Sequence, residues 1–424
     1  MSLPCEKLQI PDIYEPTAFR AFSDHLHAET DLLYDAATDL YCVVKYDDNR
    51  NILKTAPGFE GISNDNTLAP LTPQLLLMLN PGIWPAYAYL RKVPEATANA
   101  NGDTHLNVKH ALFTPASESY NLSLDPGRTE QVFGELITDR TIKAVKQLGQ
   151  LLLANNTVDF AESFARPLIS DIISTIVGFS PEEAEQVRRW SDAQTTILGR
   201  RLNFSEQFKS IRGLRDLSQA CYRLALRRAA TPKHDLTSHL LSNGLTPELT
   251  AATTMNIIAA GYSTTYGTVL NSLYRLLSDP TRTHWNVLAA PDICGYILDD
   301  LLRQETALPT WKRRATEDIT LSHGSVIPKG KQIALLLGVA NRDPEKFIDP
   351  HTILTTKRKD APTPLTFGAG AHMCVGRELA RLELTVILRA LQEKLPNLSL
   401  VSEHIEYEPD YLFRTPKALP VRLG

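Results

Sequence analysis

Apolar and polar positions change rhythm along the chain. Within the first fifty residues, apolar side chains come in short runs such as Leu40 to Tyr46 (LYCVVKY), which predict strands. Residues 56 to 102 follow no period apart from an apolar piece at Leu75 to Leu79, and irregular structure is expected there. From Gln131 onward the spacing is helical. Asp159 to Gly178 places apolar residues at helical intervals and closes on a glycine. Ser180 to Trp190 opens with a serine cap, a proline at the first helical position and acids in the first turn. Thr246, Pro247 and Glu248 form another capped start, and the helical pattern behind them runs for roughly thirty residues, against a usual length of ~11 to 12. A helix that long and apolar on most sides is expected to pass through the centre of the molecule.

The middle of that helix breaks its own rule. AAGYSTT, Ala259 to Thr265, sets a glycine and a run of hydroxyls where alanine and leucine are favoured, and such hydroxyls compete for backbone carbonyls and bend helices. Two readings are open at this point: a tolerated kink in a core helix, or a groove opened for a ligand. Further on, Pro291 to Glu305 predicts a helix, Thr316 to Leu321 and Ser325 to Pro344 contain strand-like pieces, and Arg377 to Leu395 is amphipathic, with apolar residues at 379, 382, 386, 387 and 391.

Composition narrows the class. Net charge is −4, from 44 basic and 48 acidic residues, so no global field recruits nucleic acid or an anionic membrane. No stretch approaches ~18 uninterrupted apolar residues, so no membrane span is expected. Met1 to Pro16 carries acids and prolines where a signal peptide needs a basic start and an apolar run. The five cysteines are scattered and never form CxxC, which disfavours a disulfide framework or a structural zinc site and fits a reducing, cytoplasmic location. Prolines spread through the connections instead of marking one linker. The chain therefore reads as a single domain, 1–424, strand-rich at about 30–100 and helical from about 105 to 424.

Cys374 is the one cysteine in an unusual setting. FGAGAHMCVG, Phe367 to Gly376, ends at the mouth of the amphipathic helix, whose first amides lack intrahelical partners and favour an anion. A thiol there is expected to ionise more readily, and thiolate is the form that attacks or binds metal. Gly368 and Gly370 permit a tight bulged turn. An inert buried cysteine, a nucleophile based by His372 and an axial ligand of haem iron are all compatible with these residues alone.

The residues from Phe367 to Arg381 resemble the haem-binding signature of the cytochromes P450 at every fixed position: Phe367, Gly368, Gly370, His372, Cys374, Gly376, Leu379, Ala380 and Arg381. Other segments follow in family order from about residue 30: NGDTHLNVK (Asn101 to Lys109) is similar to the early haem-contacting helix, AGYSTT to the oxygen-binding bend, and DLLR (Asp300 to Arg303) to the core of the next helix. RRATED and ANRDPEKFIDP match the following strand and meander. The resemblance, to the soluble bacterial type, implies a mainly α fold with small β-sheets, with haem b (iron protoporphyrin IX) buried between the long central helix and the cysteine loop. It implies Cys374 as the iron ligand, Phe367 shielding its sulfur, Gly376 making room for the porphyrin, and His105, Lys109, Arg313 and His372 facing the haem carboxylates. Position 109 is usually arginine, so the lysine keeps the charge and loses the bidentate fork.

On the distal side the resemblance gives Ala260 and Gly261 as space for dioxygen and Thr264 as holder of the water that delivers protons. The residue before Thr264 is commonly an acid, and here it is Ser263, which can relay a proton without supplying one. The motif usually written Glu-x-x-Arg is Asp300-Leu-Leu-Arg303, and the meander position that usually completes it with arginine is read as Lys357. Met255, Asn256 and Ala259, with Leu308, Pro309, Thr310 and Trp311, are expected to line the substrate pocket, with Trp84, Tyr87 and Tyr89 as a lid. Asn256 is expected to offer its amide to a mid-sized, partly polar small-molecule substrate. The implied activity is a monooxygenation in secondary metabolism by a monomeric enzyme, with NAD(P)H electrons arriving through a ferredoxin and ferredoxin reductase. The alternatives are coupling, nitration or peroxide-driven chemistry without oxygen insertion, or a low-turnover haem-binding protein.

Overall fold

The long helix expected at the centre is there, and the other elements pack around it. In the computed structural model, residues 14–35, 39–54, 59–61, 86, 89–90, 92–95, 102–115, 122–200, 202–358 and 360–424 are described. α1 (Pro16–Glu29) precedes β1 (Leu32–Asp35), β2 (Leu40–Val43), α2 (Tyr46–Lys54), β3 (Phe59–Gly61) and α3 (Gly102–Phe113). Then come α4 (Thr129–Ala154), β4 (Val158–Asp159), a π-helical turn (Ala161–Ala165) running into α5 (Arg166–Val177), α6 (Pro181–Gly199), α7 (Phe204–Ala230) and α8 (Leu236–Ser242). The central helix is α9 (Pro247–Leu277), followed by α10 (Thr283–Val287) and α11 (Pro291–Gln304). The C-terminal part holds β5 (Trp311–Ala315), β6 (Ile319–Thr320), β7 (Val326–Ile327), β8 (Gln332–Leu335), α12 (Leu337–Ala340), α13 (Arg377–Lys394), β9 (Leu398–Leu400) and β10 (Pro420–Leu423).

The caps read from sequence set the helix starts. The Thr246 hydroxyl accepts from the Leu249 amide at 3.3 Å at the head of α9. Ser180 and Glu183 form a reciprocal capping box at α6, with the Ser180 amide donating to Glu183 at 2.9 Å. Gly178 ends α5 at φ 113°, in the left-handed region that glycine tolerates. The strand expected over Leu40 to Tyr46 is shorter: it stops at Val43, and Tyr46 opens α2, where its amide donates to the Asp343 carboxylate at 3.0 Å.

The largest sheet runs β1-β2-β8-β5-β3, with β2 and β8 parallel and the other pairs antiparallel. It joins strands from both ends of the chain, so the strand-rich N-terminal part and the helical part share one sheet. β4-β10-β9 and β6-β7 form two smaller sheets. The main apolar core lies among α4, α5, α9, α11 and α13, and a second core lies under the large sheet. Leu75 to Leu79, and the expected lid residues Trp84 and Tyr87, lie outside the described residues.

Candidate active site

The cysteine loop is built from its glycines outward. Gly370 has φ 72°, and a Cβ there would stand 2.8 Å from the backbone of Leu53 and Lys54 at the end of α2, so conformation and space both demand glycine. The Cys374 amide donates to Phe367 O at 2.9 Å, closing the loop just before α13. Asn341, at the end of α12, accepts from the Leu365 amide at 2.6 Å and donates to Arg303 O at 3.1 Å and to the Thr366 hydroxyl at 3.0 Å. Thr366 in turn donates to Leu302 O at 2.8 Å. The loop therefore hangs from α11.

The ion pair beneath it corrects the sequence reading in one place. Arg303 Nε donates to Asp300 at 2.8 Å, so the shorter acid does reach its arginine. The third member is Arg358 and not Lys357: its Nε and Nη2 donate to the two Asp300 oxygens at 3.0 and 3.2 Å. Arg358 also donates to the carbonyls of Ile348, Asp349 and Thr352, which fixes the meander around the guanidinium. The reading missed it by one residue because adjacent basic residues in irregular backbone carry no period to tell them apart.

Above this network four basic side chains converge. His105 and Lys109 on α3 both bond Ala371 O, at 3.1 and 2.8 Å, and the His105 and His372 rings lie 4.3 Å apart. Arg313 comes from β5, is only 9% exposed, and donates to Lys312 O at 3.0 Å. Among the described residues, Lys109, Arg313 and His372 make no ion pair with a carboxylate, and His372 Nδ1 is buried without a partner. Burial, with His105, Arg313 and Lys109 nearby, pushes the His372 pKa down to about 4. Burial alone pushes Arg313 down to about 10. Two cations, Lys109 and Arg313, beside imidazoles that can offer N–H groups, suit an anion with more than one carboxylate.

Cys374 is an exposed residue, yet protein around its thiol desolvates it. That desolvation pushes the thiol pKa up, and the Gly376 amide and Arg377 guanidinium offset only part of it. The expectation of a readily ionised thiol is therefore reversed: desolvation outweighs the helix start, and the thiolate needs a cation at sulfur. Gly376 has nothing within 4 Å of where its Cβ would stand, so no protein neighbour requires glycine there.

On α9 the helix is unbroken through AAGYSTT. Ala260 is nevertheless exposed, with Gly261, Ser263 and Thr264 partly so, in a helix otherwise mostly buried. The Thr264 hydroxyl donates to Ala260 O at 2.5 Å, which leaves its lone pairs facing outward. At Gly261 a Cβ would come within 2.9 Å of Ile173 Cδ1, so this glycine lets α9 pack on α5 rather than opening space.

The expected pocket residues separate into two groups. Asn256 Oδ1 accepts from Gln194 Nε2 on α6 at 2.9 Å, so that oxygen is engaged by protein and not held out for a ligand. Ala259 and Pro309 are buried in packing, and Met255 packs on the main core. Leu308, Thr310, Trp311 and Tyr89 are partly exposed. Sequence reasoning missed Gln194, Arg358 and Glu383. Glu383 had a visible signal, since it interrupts the buried stripe Leu379, Ile387, Leu391 on α13 at helical spacing.

Comparisons with known proteins fit this arrangement. A family model described as Cytochrome P450 matches residues 296–398. The biotin biosynthesis cytochrome P450 of Bacillus subtilis (strain 168) is 30% identical over 339 residues, covering 78% of this chain and 84% of the relative. Cytochrome P450 monooxygenase PikC of Streptomyces venezuelae is 30% identical over 298 residues, 68% of this chain and 69% of its own length. Among solved structures, P450BioI in complex with hexadec-9Z-enoic acid ligated acyl carrier protein superposes with a TM-score of 0.79 at 25% identity, covering 97% of this chain and 100% of that one. Cytochrome P450 CREJ, in complex with (4-ethylphenyl) dihydrogen phosphate, gives a TM-score of 0.82 at 23% identity over 97% and 98% of the two chains, a likeness of fold. The chain belongs to the cytochrome P450 family and is a monooxygenase of that family. Membership implies haem. No helix among the described residues is long and apolar enough to cross a membrane.

Proposed function

We propose that Cys374 binds the iron of haem b through its sulfur, and that the loaded enzyme inserts oxygen from dioxygen into a mid-sized, partly polar organic molecule of secondary metabolism. The observation that carries this reading is the basic cluster. Lys109, Arg313 and His372, without carboxylate partners, suit the two carboxylates of the haem, and the orphaned His372 Nδ1 suits one of their oxygens. The open side of Gly376 and the exposed Ala260 suit a flat group lying between the loop and α9. When bound, the haem supplies the dioxygen and redox chemistry.

The chain's own residues position and shield. Asp300, Arg303 and Asn341 hold the loop so that Cys374 cannot swing away. Thr264, with its proton directed at Ala260 O, offers lone pairs to a water on the distal side and so orients the proton that water carries. Leu308, Thr310 and Trp311 form the substrate wall that remains open. Electrons reach the site from a ferredoxin, reduced by NAD(P)H through its reductase. The carrier is taken to dock on the face beside Cys374, where a cavity of about 210 Å³ is lined by Lys109, Phe113, Met373, Arg377 and Glu378, the last two paired at 2.7 Å.

Turnover under oxygen-18 with a surrogate ferredoxin and reductase tests the reading across a substrate library. Label in the product is expected. Label found only in water would favour the coupling chemistry that Ser263 suggests.

A further inference from the structure

Gln194, on α6, is tied to α9 by one hydrogen bond and keeps one acceptor unused. Its Nε2 donates to Asn256 Oδ1 at 2.9 Å, while its Oε1 is buried with no hydrogen-bond partner among the described residues. Turning this carboxamide over would set its oxygen against the Asn256 oxygen, so the unused group presents lone pairs and no proton. A buried acceptor without a donor is rare in folded proteins, and its desolvation costs more than an ordinary bond returns.

Its place on the fold ties the acceptor to the distal site. Asn256, Ala260 and Thr264 follow one another at four-residue intervals on α9 and therefore share a face. Ala260 is exposed and the other two are partly so, in a helix otherwise mostly buried. Asn256 stands one turn, about 6 Å, from Ala260 along that face. On α6, Ile197 and Leu198 lie one turn beyond Gln194, are half-buried, and belong to none of the apolar cores of the described residues. A lone acceptor thus stands beside apolar side chains at the α6–α9 seam.

We propose that Gln194 Oε1 accepts a hydrogen bond from the substrate, which is an apolar molecule carrying a hydroxyl or an amide N–H, and that this bond makes Gln194 a specificity-determining residue. The role expected of Asn256 passes to its partner, and Asn256 holds the carboxamide in register. The oxygen is enclosed, so the donor enters by parting the side chains along the α6–α9 seam. The one-turn offset from Ala260 sets the oxidised atom on the order of 6 Å from the donor. A site that offers a buried acceptor discriminates against analogues that lack the donor, because the acceptor is then left unpaired. The inference names a substrate class for the proposed monooxygenation and rests on the reading of this α9 face as the distal side of the haem.

The test titrates purified holoenzyme with 1-(ω-hydroxyalkyl)imidazoles of increasing chain length and with their methyl ethers, following the Soret band. The imidazole fixes one end of each probe, and alcohol and ether differ chiefly in the proton to be donated. At one chain length the alcohol should bind about three- to ten-fold more tightly than its ether, the worth of one neutral hydrogen bond. Gln194→Leu and Gln194→Met, which lack the acceptor, should bring that ratio to about one while leaving the ether's affinity within about two-fold, a sign that the pocket is intact. Gln194→Glu, which keeps an acceptor, should retain the preference. The proposal is overturned by a wild-type enzyme with no preference at any chain length, by a preference that survives Gln194→Leu, or by equal loss of alcohol and ether binding in that variant. A wild-type protein that shows no Soret band would instead count against the cofactor reading on which the inference rests.

Discussion

Removing the Asp300 side chain tests how the cysteine loop is held. In Asp300→Ala, Arg303 and Arg358 lose their shared carboxylate, and the Leu354 amide loses an acceptor at 2.9 Å. Arg303 is only 1% exposed and already has a buried Nη2 without a partner, so its charge has no water to turn to. Deleting one partner of a buried pair costs about 3–5 kcal/mol. Arg303 keeps its bonds to Asn341 O and Pro350 O, at 2.9 and 2.7 Å, which places the expected loss near the lower limit, about 3 kcal/mol. Against a typical stability of about 5–15 kcal/mol, that is a large shift in urea midpoint at unchanged slope. Equilibrium unfolding followed by circular dichroism measures it, with Arg358→Ala and Lys357→Ala alongside. The account requires Arg358→Ala to follow Asp300→Ala and Lys357→Ala to be close to neutral. A loss under about 1 kcal/mol in Asp300→Ala, or a larger effect at Lys357 than at Arg358, would refute it.

Other perturbations separate packing from cofactor roles. Gly370→Ala, which sets a Cβ against the Leu53 and Lys54 backbone at positive φ, should cost about 2–4 kcal/mol in urea unfolding. Gly376→Ala should leave the unfolding of haem-free protein unchanged and weaken haem uptake, measured by Soret titration. Glu383 should make stability depend on pH with a defined sign: its folded pKa of about 8 lies above its usual 4.5, so its contribution is full below pH 4.5 and lost as pH rises through about 8. Across that window the loss is about 1.4 kcal/mol per pH unit, and urea midpoints of Glu383→Gln should lack this slope. A double-mutant cycle of Gln194→Ala and Asn256→Ala should return a coupling of about 1 kcal/mol, and additivity would mean the pair does not tie α6 to α9.

Local signals were the legible ones. Thr246 before Pro247 and Ser180 before Glu183 announce helix starts because a cap acts within one turn, and the structure has them where the sequence puts them. The Cys374 loop was legible for the same reason, since its glycines, carbonyls and following helix are contiguous. What the sequence concealed depends on partners far along the chain. Asn256 looked like a free amide until α6 brought Gln194 to it, 62 residues away. Gly261 looked like space until α5 filled it with Ile173. The thiol of Cys374 looked activated because its helix is local, whereas the desolvation that outweighs the helix comes from the whole surround.

The central claim is that the Cys374 sulfur ligates haem iron. The ferrous–carbon monoxide spectrum of the purified protein, recorded beside Cys374→Ala, tests it most directly. The account predicts the long-wavelength Soret band of thiolate ligation in the parent protein and its loss in the variant. An unaltered band in Cys374→Ala would contradict it.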